Sequence, residues 1–370
     1  MKKMLYLMNV SWGVIKQRQH FVAENLSQTF DVTVYGVKKY RTSHLVNNNT
    51  EPRLKLRQLF VLPFGRFRVI LRVNAMLVKL QLLRAVAKAD IVWVSHPIMY
   101  EAVKDTLPSD TKLIYDCLDD ALEFPSACAD DVRKATLFEL EKSLVHRSSV
   151  IFTTAEYLRN KLADRYGNQM DGIVVNNAIH IPAEADQSQD SADILRLEAL
   201  MDSIAGKKLL YLGAISEWMD FDLILNSLER IHEITYVFVG PCDISVPHHE
   251  RLVFFGPIEH RHIFRAMKKA DALIMPFHVN ELIKSVNPVK IYDYIYACKP
   301  AIVVGYGETA RFEDFIYLYR TQEEYMAQVE MLVAGDLHMK RDNEECMNFV
   351  SQNTWPARVA QMLALVNSIQ

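Results

Sequence analysis

The chain lacks the features that would place it among secreted, membrane-spanning or nucleic-acid-binding proteins. It has five cysteines in 370 residues, scattered and without a Cys-x-x-Cys pair, so we expect reduced thiols. No apolar run approaches the roughly 18 residues that cross a membrane, and the first run, Met4 to Val10, is too short for a secretion signal. The net charge of −3 gives no reason to expect a nucleic-acid partner. The sequence therefore predicts a cytoplasmic protein.

Short β-branched and aromatic runs alternate with helix-length intervals along the chain. The runs cover residues 4–10, 32–37, 91–94, 112–115, 150–154, 173–175, 209–213, 236–240, 252–255, 272–277 and 301–304. This alternation is typical of parallel strands joined by helical crossovers. A chain of 370 residues exceeds one ordinary core, and the polar interval 182–192 suits a linker.

The predicted fold class is therefore α/β, with two tandem Rossmann-like domains built on doubly wound parallel sheets. We place the first domain at residues 1–182 and the second at 183–354, and we expect 355–370 to form a helix that packs back on the first domain. Ligands of such domains bind at the carboxyl ends of the strands, so two facing domains would enclose one cleft.

One segment of the second domain indicates a phosphate-bearing ligand. In Ser285-Val-Asn-Pro-Val-Lys290, Asn287 suits a helix N-cap, Pro288 the first helical position and Lys290 the first turn. A cation at the positive end of a helix is mildly unfavourable unless an anion lies between it and the free N–H groups. The alternative is an ion pair between Lys290 and Asp293, three residues on.

The segment Asn287-Pro-Val-Lys-Ile-Tyr-Asp-Tyr-Ile-Tyr-Ala-Cys-Lys-Pro300 resembles the donor-binding signature of GT-B glycosyltransferases. Further similarities to this family occur in order at residues 211–218, 238–241 and 271–277. In the first half, residues 12–20 and 115–120 resemble a bacterial subgroup that includes teichuronic acid biosynthesis glycosyltransferases and, more distantly, the xanthan glucuronosyltransferase. The resemblance spans nearly the whole chain.

The resemblance implies that the second domain holds a nucleotide sugar and that the first receives the acceptor. Lys290 matches the lysine that contacts the donor phosphates. Asp293 stands where the family has a glutamate that hydrogen-bonds the ribose, and Cys298 stands where glycine is usual. No cofactor is implied, since the nucleotide sugar is a substrate.

Further donor-binding candidates follow the predicted strands. They are Gly13, Arg18, Gly213, His278, Asn280 and Ser285. A glycine after a strand lets the backbone approach a ligand closely, although a plain turn would use Gly213 equally well. Arg18 could instead lie on a solvated helix face, and a lone histidine such as His278 is often structural.

The catalytic candidates are Asp119 and Asp120, followed by Asp116, at the exit of a strand in the first domain. An acceptor hydroxyl must lose its proton as it attacks, and a carboxylate can accept that proton. Clustered carboxylates raise each other's pKa, which suits a base near neutrality. Helix capping by Asp119 or Asp120 is the alternative, and Glu123 is a further candidate base.

The sequence matches the metal-binding Asp-x-Asp motif once, at Asp220-Phe-Asp222. It opens a helical pattern, so we interpret it as a cap. No His, Cys or Asp cluster has metal-ligand spacing, and we therefore expect no metal. Leaving-group charge would be offset by Lys290 and helix N-termini.

Residues 52–89 contain nine basic residues and no acidic one. The basic residues are Arg53, Lys55, Arg57, Arg66, Arg68, Arg72, Lys79, Arg84 and Lys88. The same segment has a long apolar helical pattern with two apolar faces, of which one can pack on the domain core. The other would suit an anionic membrane surface or a lipid-linked acceptor. A core helix with snorkelling basic ends is the alternative.

The sequence thus predicts a metal-independent, hexosyltransferase-like GT-B enzyme that moves a sugar from a nucleotide donor to a saccharide or lipid-linked acceptor for a bacterial surface polysaccharide. It would work in the cytoplasm, on the inner face of the membrane. A nucleotide-sugar epimerase of the same architecture and a non-catalytic binding subunit are the alternatives.

Overall fold

The computed structural model describes residues 1–10, 12, 16–37, 53–62, 68–167 and 172–368, apart from the side chains of 68, 69, 71, 72 and 368. Two compact units share the chain. The first comprises Met1–Asn176 with Trp355–Gln370, and the second Asn177–Thr354. The predicted Gly13 and Arg66 lie outside the described residues.

The first unit is built on a seven-stranded parallel sheet. Its strands are β1 (Lys3–Met8), β2 (Asp31–Val37), β3 (Leu54–Leu59), β4 (Ile91–Val94), β5 (Lys112–Cys117), β6 (Val150–Thr153) and β7 (Gly172–Val174), in the spatial order β3-β2-β1-β4-β5-β6-β7. Its helices up to this point are α1 (Arg18–Leu26), α2 (Arg68–Val86), α3 (Pro97–Glu101), α4 (Pro125–Cys128), α5 (Asp131–Arg147) and α6 (Glu156–Tyr166). Central strands such as β4 are buried at every residue, as expected for a parallel sheet covered on both faces.

The second unit has a six-stranded parallel sheet. Its strands are β8 (Lys207–Leu212), β9 (Ile234–Val239), β10 (Leu252–Phe254), β11 (Ala272–Met275), β12 (Ala301–Val304) and β13 (Tyr317–Tyr319), in the order β10-β9-β8-β11-β12-β13. Its helices are α7 (Glu184–Gln187), α8 (Ala192–Ser203), α9 (Phe221–Arg230), α10 (Ile263–Lys268), α11 (Glu281–Lys284), α12 (Val289–Tyr296), α13 (Gly307–Ala310), α14 (Gln322–Ala334) and α15 (Asn343–Gln352), with a 3-10 turn at His260–His262. The order of both sheets is that of a doubly wound fold, which confirms the predicted fold class.

The last helix, α16 (Trp355–Ser368), belongs to the first unit. Trp355 is buried and stacks on Phe21 of α1, with 5.2 Å between ring centroids. The chain divides at Asn176, ahead of the polar interval 182–192. This earlier division has a structural cause, because Ile179 pairs with Thr354 inside the second unit.

Two strands were missing from the predicted set, β3 and β13. β3 alternates apolar residues with Lys55 and Arg57, which resembles a charged edge strand rather than a buried one. β13 has only three residues. Both lie at sheet edges. Among the described helices, none is long and apolar enough to cross a membrane.

Candidate functional site

Lys290 is the second residue of α12, which begins at Val289 rather than at Pro288. Pro288 occupies the N-cap position, and no side chain caps this helix start. The prediction that Asn287 caps the helix was wrong by one residue. The ring of Pro288 fixes an extended entry with φ of −78° and ψ of 106°, so its own backbone precedes the helix.

Asn287 instead fastens the loop before α12 inside the second unit. Its Oδ1 accepts a hydrogen bond from the backbone N–H of Asn177 at 3.0 Å, and its Nδ2 donates to Glu308 Oε2 at 3.2 Å. The side chain of Asn177 donates to the carbonyl of Asn287 at 2.7 Å. The Asn287 amide is buried, so these bonds satisfy groups that would otherwise be costly to bury. Asn287 therefore positions α12, because both polar atoms of its side chain are already engaged in hydrogen bonds within the protein.

The ammonium of Lys290 lies against aromatic rings and a glycine, without an ion-pair partner within 4 Å among the described residues. Its Nζ is 5.4 Å from the ring centroid of Tyr211 and 5.7 Å from that of Phe277. Among the described residues it forms no ion pair, so the alternative pairing with Asp293 is not present. Burial lowers the pKa of Lys290 from 10.5 to about 8, and the negative charge of Asp293 opposes this only in part. The site thus holds a poorly solvated cation at the positive end of a helix.

Glycine at position 213 is what brings the backbone next to this cation. A Cβ on Gly213 would lie 2.3 Å from Cε and 2.8 Å from Nζ of Lys290, and its φ is +142°. The neighbouring turn is equally tight, because a Cβ on Gly240 would lie 1.9 Å from the Gly213 carbonyl oxygen. Gly213 is therefore favoured by its positive φ, and its missing side chain leaves room for the end of the Lys290 side chain.

Asp293 lies one helical turn beyond Lys290 and is nearly buried. Burial raises the pKa of its carboxyl to about 7, and the charge of Lys290 opposes that rise. After the end of α12, Cys298 has a φ of +51°, the left-handed conformation that glycine favours. The departure from glycine in the sequence therefore falls on a position that needs positive φ.

The three polar residues predicted on the loop after β11 differ in their availability. Asn280 caps α11 through Oδ1, which accepts from the N–H of Ile283 at 2.9 Å, and its side chain is exposed. His278 is half exposed, with Nδ1 3.5 Å from Asp220 Oδ2. Ser285 is fully buried and its hydroxyl donates to the carbonyl of Glu281 at 2.9 Å. The Ser285 hydroxyl thus stabilises the end of α11, because it donates its proton to a backbone carbonyl of that helix.

The Asp-x-Asp sequence caps a helix, as predicted. Asp220 Oδ1 accepts from the N–H of Leu223 at 2.9 Å at the start of α9. Among the described residues, no three His, Cys, Asp or Glu side chains are grouped closely enough to hold a metal ion.

In the first unit, Arg18 and Asp116 form a buried ion pair. Arg18 Nη2 lies 2.9 Å from Asp116 Oδ1, and Nη1 donates to the carbonyl of Val175 at 2.7 Å. Both side chains are shielded from solvent. The sequence interpretation of Arg18 as a donor-binding residue and of Asp116 as a possible base is corrected here: each neutralises the other, and removing either would leave an uncompensated buried charge.

The other two predicted acids have opposite environments. Asp120 accepts hydrogen bonds from Arg165 at 2.7 Å and from the N–H of Leu122 at 3.1 Å, and it pairs with Lys161 at 3.0 Å. These contacts hold the pKa of Asp120 below its usual range despite burial. A carboxylate held in this way is a poor proton acceptor, so Asp120 is a structural anion. Glu123 also pairs with Lys161, at 3.3 Å.

Asp119 differs from Asp120 in having a raised pKa and no fixed partner. Burial raises the pKa of Asp119 to about 6, with Arg18 opposing the rise and Asp120 adding to it. No described residue forms a side-chain hydrogen bond or ion pair with Asp119. Its carboxylate is therefore able to exchange a proton near neutral pH.

Asp119 lines a pocket of about 540 Å³ at the carboxyl ends of β1, β4 and β5, a size in the range of ligand sites. The lining includes Asn9, Gln17, Gln19, Ser95, His96, Asp119, Phe124 and Arg133. Sequence reasoning missed the residues contributed by β1 and β4. Ser95 and His96 directly follow the buried run of β4, so the rule that ligands bind beyond strand ends could have found them.

No family model matches the chain. It is 22% identical over 227 residues to a Bacillus subtilis (strain 168) protein provisionally named teichuronic acid biosynthesis glycosyltransferase TuaH. That match covers 58% of this chain and 56% of the relative, so it spans about half of the relative's length.

Solved structures with the same architecture cover the whole chain. Sucrose-phosphate synthase from Thermosynechococcus elongatus aligns over 100% of this chain and 99% of its own, with a TM-score of 0.74 and 12% identity. HepE from Anabaena, solved with UDP-glucose, aligns over 100% of both chains with a TM-score of 0.72 and 12% identity. The galactosyltransferase WaaB of the lipopolysaccharide outer core, in apo form, gives 0.64 and 11% over 100% of both. The fold is GT-B.

If Lys290 is held for a ligand and not for stability, removing its charge should stabilise the protein. At pH 7 we expect Lys290→Met to raise the free energy of unfolding by about 1–2 kcal/mol. The whole pKa shift would give a larger gain, but the variant also removes the positive charge that stabilises the Asp293 carboxylate. The pKa of Lys290 is depressed in the folded state, so the gain is full below pH 8 and shrinks as pH approaches 10.5. Denaturant unfolding at pH 7 and pH 10 measures both; a variant less stable than wild type at pH 7 would contradict this assignment.

The left-handed backbone at Cys298 predicts a second stability effect. Cys298→Gly should raise the free energy of unfolding by about 1 kcal/mol, because glycine adopts positive φ without steric cost. Ala297→Gly, one residue earlier at φ of −68°, is the matched control and should lower it by a similar amount. Equal effects of the two changes in thermal melts would show that the strain is absent.

Proposed function

We propose that this chain is a glycosyltransferase that moves a hexosyl group from a nucleotide-sugar donor to a saccharide or lipid-linked acceptor in surface polysaccharide biosynthesis. The observation that carries the proposal is the unpaired ammonium of Lys290 at the uncapped start of α12, against Gly213. A donor diphosphate would supply the missing counter-charge and would accept hydrogen bonds from the helix N–H groups. HepE, a protein of the same fold, binds UDP and UDP-glucose, which supports a uridine nucleotide as the donor carrier.

The second unit has the groups that a nucleotide-sugar site requires. Lys290 is proposed to contact the diphosphate, and Asp293 the ribose, directly or through a water. Asn280 and His278 are exposed side chains on the loop after β11 and are the candidates for contacts with the donor sugar. Gly213 allows the diphosphate to approach the backbone at the end of β8.

Asp119 is the proposed base of the first unit. The acceptor hydroxyl transfers its proton to the Asp119 carboxylate as its oxygen forms a bond to the anomeric carbon. The bond from that carbon to the diphosphate oxygen breaks, and the departing pair of electrons becomes charge on the nucleoside diphosphate. In this proposal Lys290 and the α12 N–H groups offset that charge, without a required metal ion. The pocket beside Asp119 suits an acceptor, which an epimerase would not need.

Single substitutions separate the two roles. We expect Lys290→Ala to weaken donor binding and Asp119→Asn to lower kcat by 10²–10⁴-fold with little change in donor affinity. Wild-type kcat should fall as pH drops through about 6, because protonated Asp119 cannot act as base. Radiolabelled transfer or hydrolysis of UDP-glucose, with UDP affinity from calorimetry, measures both. Glu139→Gln, an exposed carboxylate on α5, is the control. Unchanged turnover in Asp119→Asn would contradict its role as base.

We further propose that α2 docks on an anionic membrane surface. Val73, Met76, Leu80 and Leu83 recur at helical spacing on one face and are all exposed. Arg84 and Lys88, nearby and exposed, form no ion pair with a described residue, whereas Lys79 pairs with Asp105 at 2.8 Å. An apolar stripe with unpaired cations complements acidic lipid headgroups over a hydrocarbon layer. In this proposal the enzyme lies on the inner surface of the membrane.

The docking proposal predicts a loss of vesicle binding when the stripe is charged. Met76→Asp with Leu80→Asp should reduce binding to phosphatidylglycerol-containing vesicles by at least tenfold, because each aspartate must be desolvated and is repelled by the lipid. The control is Val132→Asp, an exposed apolar residue of α5 that is 74% accessible. Sedimentation with phosphatidylcholine vesicles as comparison gives the measurement; equal loss in both variants, or no wild-type binding, would refute the proposal.

A further inference from the structure

The acceptor-side pocket of the first unit contains a chain of oriented amides. Ser95 Oγ lies 3.0 Å from Gln19 Oε1, and Gln19 Nε2 donates to Asn9 Oδ1 at 3.0 Å. Ser95 and Gln19 are buried, so their positions are fixed by packing. Because the Asn9 oxygen is already used, its Nδ2 group remains as a hydrogen-bond donor at the pocket wall.

His96 adds a second donor on the same wall. Its Nδ1 accepts a hydrogen bond from the N–H of Ile98 at 3.2 Å at the start of α3, so the ring proton of the neutral form is on Nε2. Burial, and then the charge of Arg133, lower the pKa of His96 to about 4. At neutral pH His96 is therefore an uncharged N–H donor.

Arg133 is the only cation that lines this pocket among the described residues. It is exposed on the first turn of α5, and its guanidinium forms no ion pair or hydrogen bond with the side chain of a described residue. The nearby carboxylate of Asp130 does not pair with this guanidinium. It accepts a hydrogen bond from the backbone N–H of Arg133 at 3.1 Å and so caps α5. Asp119 is the single carboxylate of the lining, and it is the proposed base.

A neutral sugar would not need this set of groups. Its hydroxyls need no fully charged partner, whereas the group that we call the donor wall, Asn9 Nδ2, His96 Nε2 and Arg133, carries one full positive charge. Arginine binds carboxylates and phosphates through paired N–H groups, and a charge-assisted bond is about twice as strong as a neutral one. The donor wall is thus complementary to an anionic group.

We propose that the acceptor carries an anionic group, a carboxylate or a phosphate, which Arg133 and the Nε2–H of His96 bind while Asn9 holds an adjacent hydroxyl. This inference rests on the proposed transferase function, because it assigns the pocket beside Asp119 to the acceptor. The two sources of the anion are an acidic sugar residue and a sugar or lipid phosphate. They share the same recognition chemistry.

The test measures binding of three probes to the full-length protein without donor, by calorimetry or ligand-observed NMR. The probes are p-nitrophenyl glucuronide, glucose 1-phosphate and the neutral p-nitrophenyl glucoside. We expect at least one anionic probe to bind about tenfold more tightly than the neutral one, which corresponds to one charge-assisted contact. A preference for glucuronide identifies the carboxylate source, and a preference for glucose 1-phosphate the phosphate source.

Variants then locate the recognition. Arg133→Ala should remove the preference for the anion, Arg133→Lys should restore part of it, and Lys134→Ala, the same change of charge on the next residue, should leave it intact. Lys134 has its Nζ 3.7 Å from Cys128 Sγ and does not line the pocket. Equal binding of charged and neutral probes, undetectable binding of all three, or equal effects of Arg133→Ala and Lys134→Ala would overturn the inference. UDP-glucose turnover is recorded separately, so that failure of the transferase proposal is distinguishable from failure of anion recognition.

Discussion

The second unit depends on one constraint, the close approach of a lysine ammonium to a glycine backbone under two aromatic rings. Gly213 has a positive φ and leaves room for the end of the Lys290 side chain, and Gly240 must lack a side chain because the backbone carbonyl of Gly213 occupies that space. Tyr211 and Phe277 stabilise the cation from their ring faces, but neither replaces the water it has lost. The arrangement is unfavourable for the folded protein alone, and the diphosphate that we propose as its ligand would supply the missing negative charge.

In the first unit, by contrast, most buried charges are paired with a charge of opposite sign. Arg18 compensates Asp116, and Arg165 with Lys161 compensates Asp120, so these acids at the carboxyl end of β5 have fixed counter-charges. Glu141 joins the same network through Arg165 Nη1 at 3.3 Å and also accepts from the Tyr115 hydroxyl at 2.6 Å, and burial raises its pKa. What remains outside this network is Asp119 on one wall of the pocket and Arg133 on another. The site chemistry we propose uses the two groups that the fold leaves uncompensated.

The sequence was sufficient for the architecture and for the existence of α12, because both have local signals. Buried parallel strands are continuous apolar runs, and the Pro-Val-Lys start of α12 carries its own turn chemistry. It was not sufficient for the edge strands β3, in which Lys55 and Arg57 interrupt the apolar run, and β13, which has only three residues. The N-cap at Asn287 was misplaced by one residue because its tertiary partners, Asn177 and Glu308, lie far away in the chain.

The roles of the three aspartates could not be separated from the sequence for the same reason. Asp116, Asp119 and Asp120 occupy the same strand exit, and their environments are set by residues on other elements. Arg18 is 98 residues from Asp116, and Arg165 is 45 residues from Asp120. A pattern of neighbouring acids predicts that a carboxylate is near the site; only the positions of distant cations decide which one remains free to accept a proton.

The central claim is that Lys290 is a phosphate site kept without a counter-ion. The most direct measurement is the number of protons taken up when UDP binds, from calorimetry at pH 8 in buffers of different ionisation enthalpy. Because the free pKa of Lys290 is about 8, binding of a diphosphate that restores its charge should take up about half a proton at that pH, and Lys290→Met should abolish this uptake. UDP binding with no proton uptake, or with the same uptake in the variant, would contradict the account.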